Sequence, residues 1–164
     1  MVTATQDIAA SIVALLPRLR RFARSLSRNQ HDADDLVQSA VERAWRNADQ
    51  YRAGANLASW MFGIMKNAWI DARRARVRRG EVALPEDSGE HPAISPGDLR
   101  DEMWSVSEAM AKLPEEQRLA IALVLVEGLS YKEAAEVLQI PIGTLTSRLA
   151  RGRTALAADL KDAP

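Results

Sequence analysis

Apolar residues recur at intervals of three and four along most of the chain, the period of one helix face rather than of a strand. The first such run is Ile8, Ile12, Leu15, Leu16, Leu19, Phe22, Ala23 and Leu26, and Pro17 inside it is expected to kink or restart the helix. A second helix is predicted to begin after His31, where Asp32, Asp34 and Asp35 crowd the positive end of the helix dipole. It should bury Leu36, Val37, Ala40, Val41, Ala44 and Trp45, and show Gln38, Glu42, Arg43 and Arg46 on its other face. The loop YRAGAN leads to a third helix from about Leu57, with an apolar side of Trp60, Met61, Ile64, Ala68 and Ala72. That helix ends in bases: Arg73, Arg74, Arg76, Arg78 and Arg79.

The periodicity then stops. EVALPEDSGEHPAISPG, from Glu81 to about Gly97, is rich in Pro, Gly, Ser and acid, and has neither a helical nor a strand pattern. It reads as a linker, and some 17 residues would reach roughly 55 to 60 Å when extended. Beyond it, Asp101 to Met110 is predicted to be helical, and Pro114 suits the start of another helix from Glu115 to Glu127. LAIALVLV fits a buried strand equally well by periodicity, but it continues a charged helical start and ends at Gly128, a good helix stop.

Ser130 and Glu133 have the spacing of a capping box that opens the helix YKEAAEVL. With the turn QIPIG and the following TLTSRLARGRTALAADL, that helix makes a helix-turn-helix. Ala134 and Ala135 permit close helix approach, and Val137, Leu138, Ile140, Leu145, Leu149 and Leu156 hold the pair together. The outward face of the second helix presents Thr146, Ser147, Arg148 and Arg151, hydroxyls and guanidiniums suited to phosphates and base edges in a major groove. A solvated helix can carry such a face too, so the tight turn and the small-residue packing are what favour DNA binding.

Charge adds a division that the net value of zero conceals. Residues 1–80 carry 14 Lys+Arg against 7 Asp+Glu, residues 81–104 carry 1 against 7, and residues 105–164 carry 7 against 8. A basic first part is the footprint of a polyanion-binding surface, and the acidic middle would be repelled by the same polyanion. The absence of cysteine excludes disulfides and thiolate metal sites, and two isolated histidines offer little to zinc. No metal and no cofactor is expected. No apolar run approaches the roughly 18 to 20 residues of a membrane span, so no membrane insertion and a cytoplasmic location are expected.

Both halves together resemble the sigma-70 family of bacterial transcription factors, in its small extracytoplasmic-function group. LPRLRRFARSL, DADDLVQSAVERAW and NLASWMFGIMKNAWIDARR resemble the family's region two, and LPEEQRLAIALVLVEGLSYKEAAEVLQIPIGTLTSRLARGRTAL resembles region four. Within the group, the first half looks most like the sigma factors of the general stress response. The resemblance implies an all-α fold of two small helical domains joined by a flexible linker: region two over 1–80, an acidic linker over 81–99, and region four with its helix-turn-helix over 100–164.

The resemblance also implies partners and sites. RNA polymerase core would bind through the clamp helices of its largest subunit and the flap of its second-largest subunit, with Asp34, Asp35, Gln38 and Arg43 as the clamp candidates. Promoter DNA would be held at the minus-ten element as a single strand by Tyr51, Asn56, Ser59, Lys66, Asn67, Arg73 and Arg74. Trp60 reads as core, Asp32 as a helix-capping acid, and Asp71 as a packing residue. The minus-thirty-five element would be read by Thr146, Ser147, Arg148 and Arg151, with Thr144 near the helix N-terminus suited to a phosphate. The family commonly has Lys or Arg where this chain has Thr146, which weakens one contact. An anti-sigma factor is a further expected partner. The competing readings are a sigma-like decoy that binds an anti-sigma factor, and a one-component helix-turn-helix regulator, which leaves the first 80 residues unexplained. No nucleophile and base pair, phosphate loop or metal set supports an enzyme.

Overall fold

The computed structural model describes residues 2–81 and 101–162, with side chains over 7–81 and 106–162. Its described residues form seven α-helices and no strand: α1 (Val2–Leu26), α2 (Gln30–Arg46), α3 (Leu57–Arg78), α4 (Asp101–Lys112), α5 (Glu115–Ile121), α6 (Tyr131–Leu138) and α7 (Ile142–Lys161). Of the linker expected over 81–99, only Glu81 is described, paired with Arg79 at 2.8 Å; the rest lies outside the described residues.

In the first module α1 and α3 pack against α2 and touch each other. Leu19, Phe22 and Leu26 of α1 meet Met61, Phe62 and Met65 of α3 in a fully buried core, with the Phe22 and Phe62 rings 5.0 Å apart. α1 runs through Pro17 without a restart. The carbonyl that loses its partner there belongs to Val13, which is 64% exposed, so water can replace the missing N–H. α2 starts at Gln30 rather than after His31, because Asn29 caps it: its side chain accepts from the Asp32 N–H at 2.8 Å. Trp45 stands 43% exposed, outside the core expected for it, and Ala72 is exposed too. On α3 the core positions are Phe62 and Met65 in place of Ala72, because that helix is packed from two directions and its apolar stripe is correspondingly broad.

In the second module α5 lies against α7, and α6 against α7. α5 ends in a π-helical turn, Ala122–Val126, in which the Glu127 N–H reaches back to the Ala122 carbonyl at 3.0 Å. The chain then reverses at Gly128, whose φ of +72° is readily adopted only by glycine. α6 opens on the capping box, with the Glu133 N–H donating to Ser130 Oγ at 3.2 Å and the Ser130 N–H donating to Glu133 Oε2 at 2.8 Å. α7 begins at Ile142, two residues before the expected start, which places Thr144 inside the first turn.

The two modules are packed on one another: α3 contacts α6, and α1 contacts α4, α5 and the π-helical turn. Two buried charges sit in this contact. Arg118 donates to the carbonyls of Met110, Ala111 and Leu113 at 2.9 Å and of Leu26 at 3.1 Å, so one guanidinium finishes the C-terminal ends of α4 and α1 together. Burial pushes its pKa down to about 10, with the positive charges of Arg28 and Arg73 adding to the shift. Glu127 has a side chain with 0% exposure and accepts from Arg21 twice at 2.9 Å and from Arg18 at 3.3 Å. Arg18 also donates to the Glu127 carbonyl at 3.1 Å and lies 5.4 Å from the centre of the Phe62 ring.

Gly152 marks the closest approach of α7 to α5. A methyl group at its Cα would sit 2.9 Å from Cγ1 of Ile121, a fully buried side chain without room to move. Gly152→Ala should therefore destabilise the protein by about 1–3 kcal/mol despite its better helix propensity. Urea denaturation checks this, and an unchanged or raised midpoint would mean that Ile121 yields freely.

Candidate polymerase and nucleic-acid interfaces

The recognition helix α7 exposes Thr146, Ser147 and Arg151 side by side, with Thr144 half-buried at the same end. Thr146 donates its hydroxyl proton to the Ile142 carbonyl at 2.9 Å, which leaves oxygen lone pairs and the γ-methyl for a partner. Arg148 is less free: its guanidinium lies 3.3 Å from Glu116 and is 22% exposed. The turn before α7 is set by Gln139, whose φ of 56° puts it in the left-handed region at the end of α6, and by the Ile140 N–H donating to the Ala135 carbonyl at 3.1 Å.

The expected minus-ten residues fall into two groups. Asn56 caps α3 by accepting from the Ser59 N–H at 3.2 Å, and its amide donates to Glu133 across the module boundary at 3.3 Å. At the far end of α3, Arg73 pairs with Glu115 of α5. Ser59 and Lys66 lie between these two bridges, and at 3.6 residues per turn positions 59, 66 and 73 share a strip roughly 40° wide. Lys66 is 6% exposed, and the Ser59 hydroxyl is buried with no hydrogen-bond partner among the described residues. Burial lowers the Lys66 pKa. This strip faces the second module, contrary to the exposed surface expected from the residue types.

The second group is open. Tyr51 lies against Trp60, ring centres 5.2 Å apart, and its hydroxyl donates to the Ala55 carbonyl at 2.7 Å. Trp60, Asn67 and Arg74 follow one another along the next flank of α3, at intervals of seven, and Asn67 and Arg74 are exposed. Arg74 has no ion-pair partner among the described residues. Trp60, read from sequence as core, is half-buried and joins this row; its apolar spacing concealed that role. Beside Tyr51 and Asn56, the loop at Gly54 and the flank of α1 at Leu15 and Arg18 enclose an open cleft of about 1050 Å³.

The polymerase candidates also divide. Asp34, Asp35 and Gln38 are exposed on α2, whereas Arg43 lies on another side, 2.8 Å from Asp71 of α3. Asp71 is therefore a packing partner, as its position suggested. Asp32 pairs with Arg76 at 2.9 Å and also takes part in the α2 cap. Asp34 and Gln38 line a groove of about 530 Å³ between α1 and α2, with Leu16, Val37 and Val41 as its apolar floor and Arg20 and Arg24 on the opposite wall. The two arginines were not singled out in the sequence, because they are interspersed with core positions of α1. Among the described residues, no group of three or more His, Asp or Glu could hold a metal ion, and no helix is long and apolar enough to cross a membrane.

Residues 12–79 match the Sigma-70 region 2 family and residues 103–156 match the family described as Sigma-70, region 4. The chain belongs to the sigma-70 family, in its extracytoplasmic-function group. It is 39% identical over 156 residues to the ECF RNA polymerase sigma factor EcfG of Rhodopseudomonas palustris strain TIE-1, covering 94% of this chain and 85% of that one. It is 31% identical over 170 residues to the ECF RNA polymerase sigma factor SigW of Bacillus subtilis strain 168, covering 96% and 91%. Among solved structures, the sigma factor RpoE from Bartonella quintana, in complex with the anti-sigma factor NepR, superposes with a TM-score of 0.80 at 34% identity, over 97% of this chain and 99% of that one.

The α6 capping box gives a pH-dependent test of the module that carries the recognition helix. The Ser130 backbone N–H, and then its hydroxyl, hold the Glu133 carboxyl below its usual range. A carboxylate stabilised in the folded state contributes above its unfolded pKa of about 4.3, and that contribution is lost as pH falls through the lower folded value. Glu133→Gln should lower the melting temperature near pH 7 and have little effect near pH 2 to 3. A melting difference that persists undiminished in acid would contradict the assignment.

Proposed function

We propose that this chain is an alternative sigma factor that joins RNA polymerase core, directs it to particular promoters and assists strand opening. The observation that carries this reading is the pairing, in order, of a basic three-helix module with a helix-turn-helix module whose recognition face is exposed. The domains are proposed as region two over 1–80, a linker over 81–99 and region four over 100–164. Thr144, Thr146, Ser147, Arg148 and Arg151 approach the minus-thirty-five duplex. Tyr51, Asn56, Ser59, Lys66, Asn67, Arg73 and Arg74 serve the minus-ten strand, with Trp60 as an added stacking surface. Asp34, Asp35 and Gln38 meet the polymerase clamp helices, joined by Arg20 and Arg24 across the groove, while Arg43 acts through Asp71.

The mechanism is differential binding. Region four docks on intact duplex and sets the register, and region two holds bases that have left the stack, so the open form is favoured by every base captured. Aromatic faces take bases with little regard to sequence, and amides and cations add specificity and hold the backbone. The chain itself catalyses nothing; nucleotide addition belongs to the polymerase, and both partners place the protein in the cytoplasm. An anti-sigma factor is proposed as its negative regulator, on the strength of the whole-chain likeness to a sigma factor solved with one.

Reconstitution with core polymerase and a promoter library tests this reading through run-off transcription. Specific starts are expected only when the chain is present. Arg148→Ala with Arg151→Ala should weaken upstream recognition, each lost contact costing about 1–3 kcal/mol, while core binding is retained. Asp35→Ala and Gln38→Ala should instead weaken association with core polymerase. Equal transcription by all these variants would overturn the site assignments, and no start-site preference with the wild-type chain would overturn the function.

A further inference from the structure

Glycine inside a helix is destabilising relative to alanine, because it loses more conformational freedom on folding and packs no side chain. Its presence there calls for a reason. Among the described glycines, Gly54, Gly80 and Gly128 have positive φ, and at Gly152 an added methyl would sit 2.9 Å from Ile121 Cγ1. Gly143 stands in the first turn of α7, where the helix is only beginning. Gly63 has none of these reasons. It lies well inside α3, and a Cβ built on it would meet no atom within 4 Å among the described residues. Alanine would fit there and would suit the helix better. A glycine that the fold itself does not need points to a demand from outside, a ligand that must come close to the helix backbone.

The neighbours of Gly63 indicate the chemistry of that ligand. At 3.6 residues per turn, Trp60 and Asn67 lie within about 60° of Gly63 around the helix, roughly 4.5 Å before it and 6 Å beyond it along the axis. Arg74 falls within about 20° of it, roughly 16 Å further on. Half-buried Trp60 is backed by the Tyr51 ring at 5.2 Å, and Tyr51 is itself fixed by its hydroxyl donating to the Ala55 carbonyl. Asn67 and Arg74 are exposed, and Arg74 has no ion-pair partner among the described residues. The open row therefore runs aromatic face, gap, amide, guanidinium. That order matches a nucleotide of a single strand, whose base stacks on a ring, whose phosphate is held by donors and cations, and whose sugar lies between.

We propose that Gly63 is a notch in α3 that receives the deoxyribose of a single-stranded nucleotide, so that its base lies on Trp60 while Asn67 and Arg74 hold the adjoining phosphates. The proposal rests on the sigma-factor reading for the identity of the strand, and adds to it a residue chosen for the side chain it lacks. The C–H groups of a sugar gain by dispersion only at close contact, and a floor of bare helix backbone lets them reach it. A methyl at position 63 would fill the notch and lift the sugar away. The stack on Trp60 would be lost with it. Docking on duplex, which belongs to α7, and association with core polymerase, assigned to the groove between α1 and α2, do not involve this position.

Gly63→Ala separates stability from function. Its midpoint in urea should rise, because the methyl enters free space and favours the helix. Holoenzyme carrying this variant should bind a fork DNA, duplex at minus-thirty-five and single-stranded at minus-ten, on the order of 10-fold more weakly than wild type, the scale of a methyl forced into a filled contact. Gly63→Leu should weaken fork binding further. Affinity for core polymerase and for a fully duplex minus-thirty-five fragment should be unchanged in both. Ala72→Leu adds bulk at an exposed position about 180° around α3 from Gly63, and should leave fork binding as it was. A lowered urea midpoint for Gly63→Ala would mean that the fold needs this glycine, and would overturn the proposal. Fork binding equal to wild type in both Gly63 variants, or equal weakening by Ala72→Leu, would overturn it as well. Wild-type holoenzyme that starts specifically but loses nothing with Gly63→Leu rejects the notch alone, whereas a wild-type chain that confers no start-site preference rejects the sigma-factor reading and the notch with it.

Discussion

The guanidinium of Arg118 is the constraint on which the arrangement of this molecule depends. A helix ends with carbonyls that have no intrahelical donor, and burying such an end without a partner is costly. Here the ends of α1 and α4 are both brought into the interior, and one side chain with five donors serves them together. The charge is tolerated because it sits at the negative ends of two helix dipoles, and its depressed pKa of about 10 still leaves it protonated in neutral solution. Lysine could not reproduce this, since four carbonyls at different heights require a planar fork.

From that anchor the functional surfaces follow by exclusion. The end of α1 is held against the second module, so its exposed Arg20 and Arg24 are left on the side of α2, where they form a groove with Asp34 and Gln38. The start of α3 is held against α6, which divides its polar residues between a covered strip and the open row of Trp60, Asn67 and Arg74. α7 packs through Leu145, Leu149 and Gly152, and that leaves Thr146, Ser147 and Arg151 facing outward. The groove, the open row and the outward face of α7 thus lie on three different sides of one small chain.

Much of this was legible in the sequence, for identifiable reasons. The capping box at Ser130 and Glu133 depends on two residues three apart, and the recognition face on a period that α7 keeps throughout. Local rules therefore sufficed for both. The capping of α2 by Asn29 was missed because the acids that follow it are a stronger dipole signal than a single amide. Phe62 and Met65 were missed because α3 is packed from two directions, which broadens its apolar stripe until no single face stands out. The covered strip was illegible for a different reason. Lys66 and Ser59 look like surface residues by type, and only tertiary packing, with Asn56 and Arg73 on the same strip bridging to the second module, accounts for their burial. The Glu127 contacts with Arg18 and Arg21 and the Arg118 contact with Leu26 were illegible for the same reason, since those partners lie about a hundred positions away.

The burial of charge at the module boundary also bears on why such a chain is built from two small units at all. A single continuous core would hold α3 and α7 in one fixed relation. A boundary closed by apolar side chains alone would be insensitive to partners that act through charge. Guanidinium and carboxylate contacts are directional and lose most of their value once one partner is displaced, whereas water readily solvates the separated groups. An interface made this way is firm when formed and cheap to re-solvate when opened. That combination distinguishes this boundary from the apolar cores on either side of it.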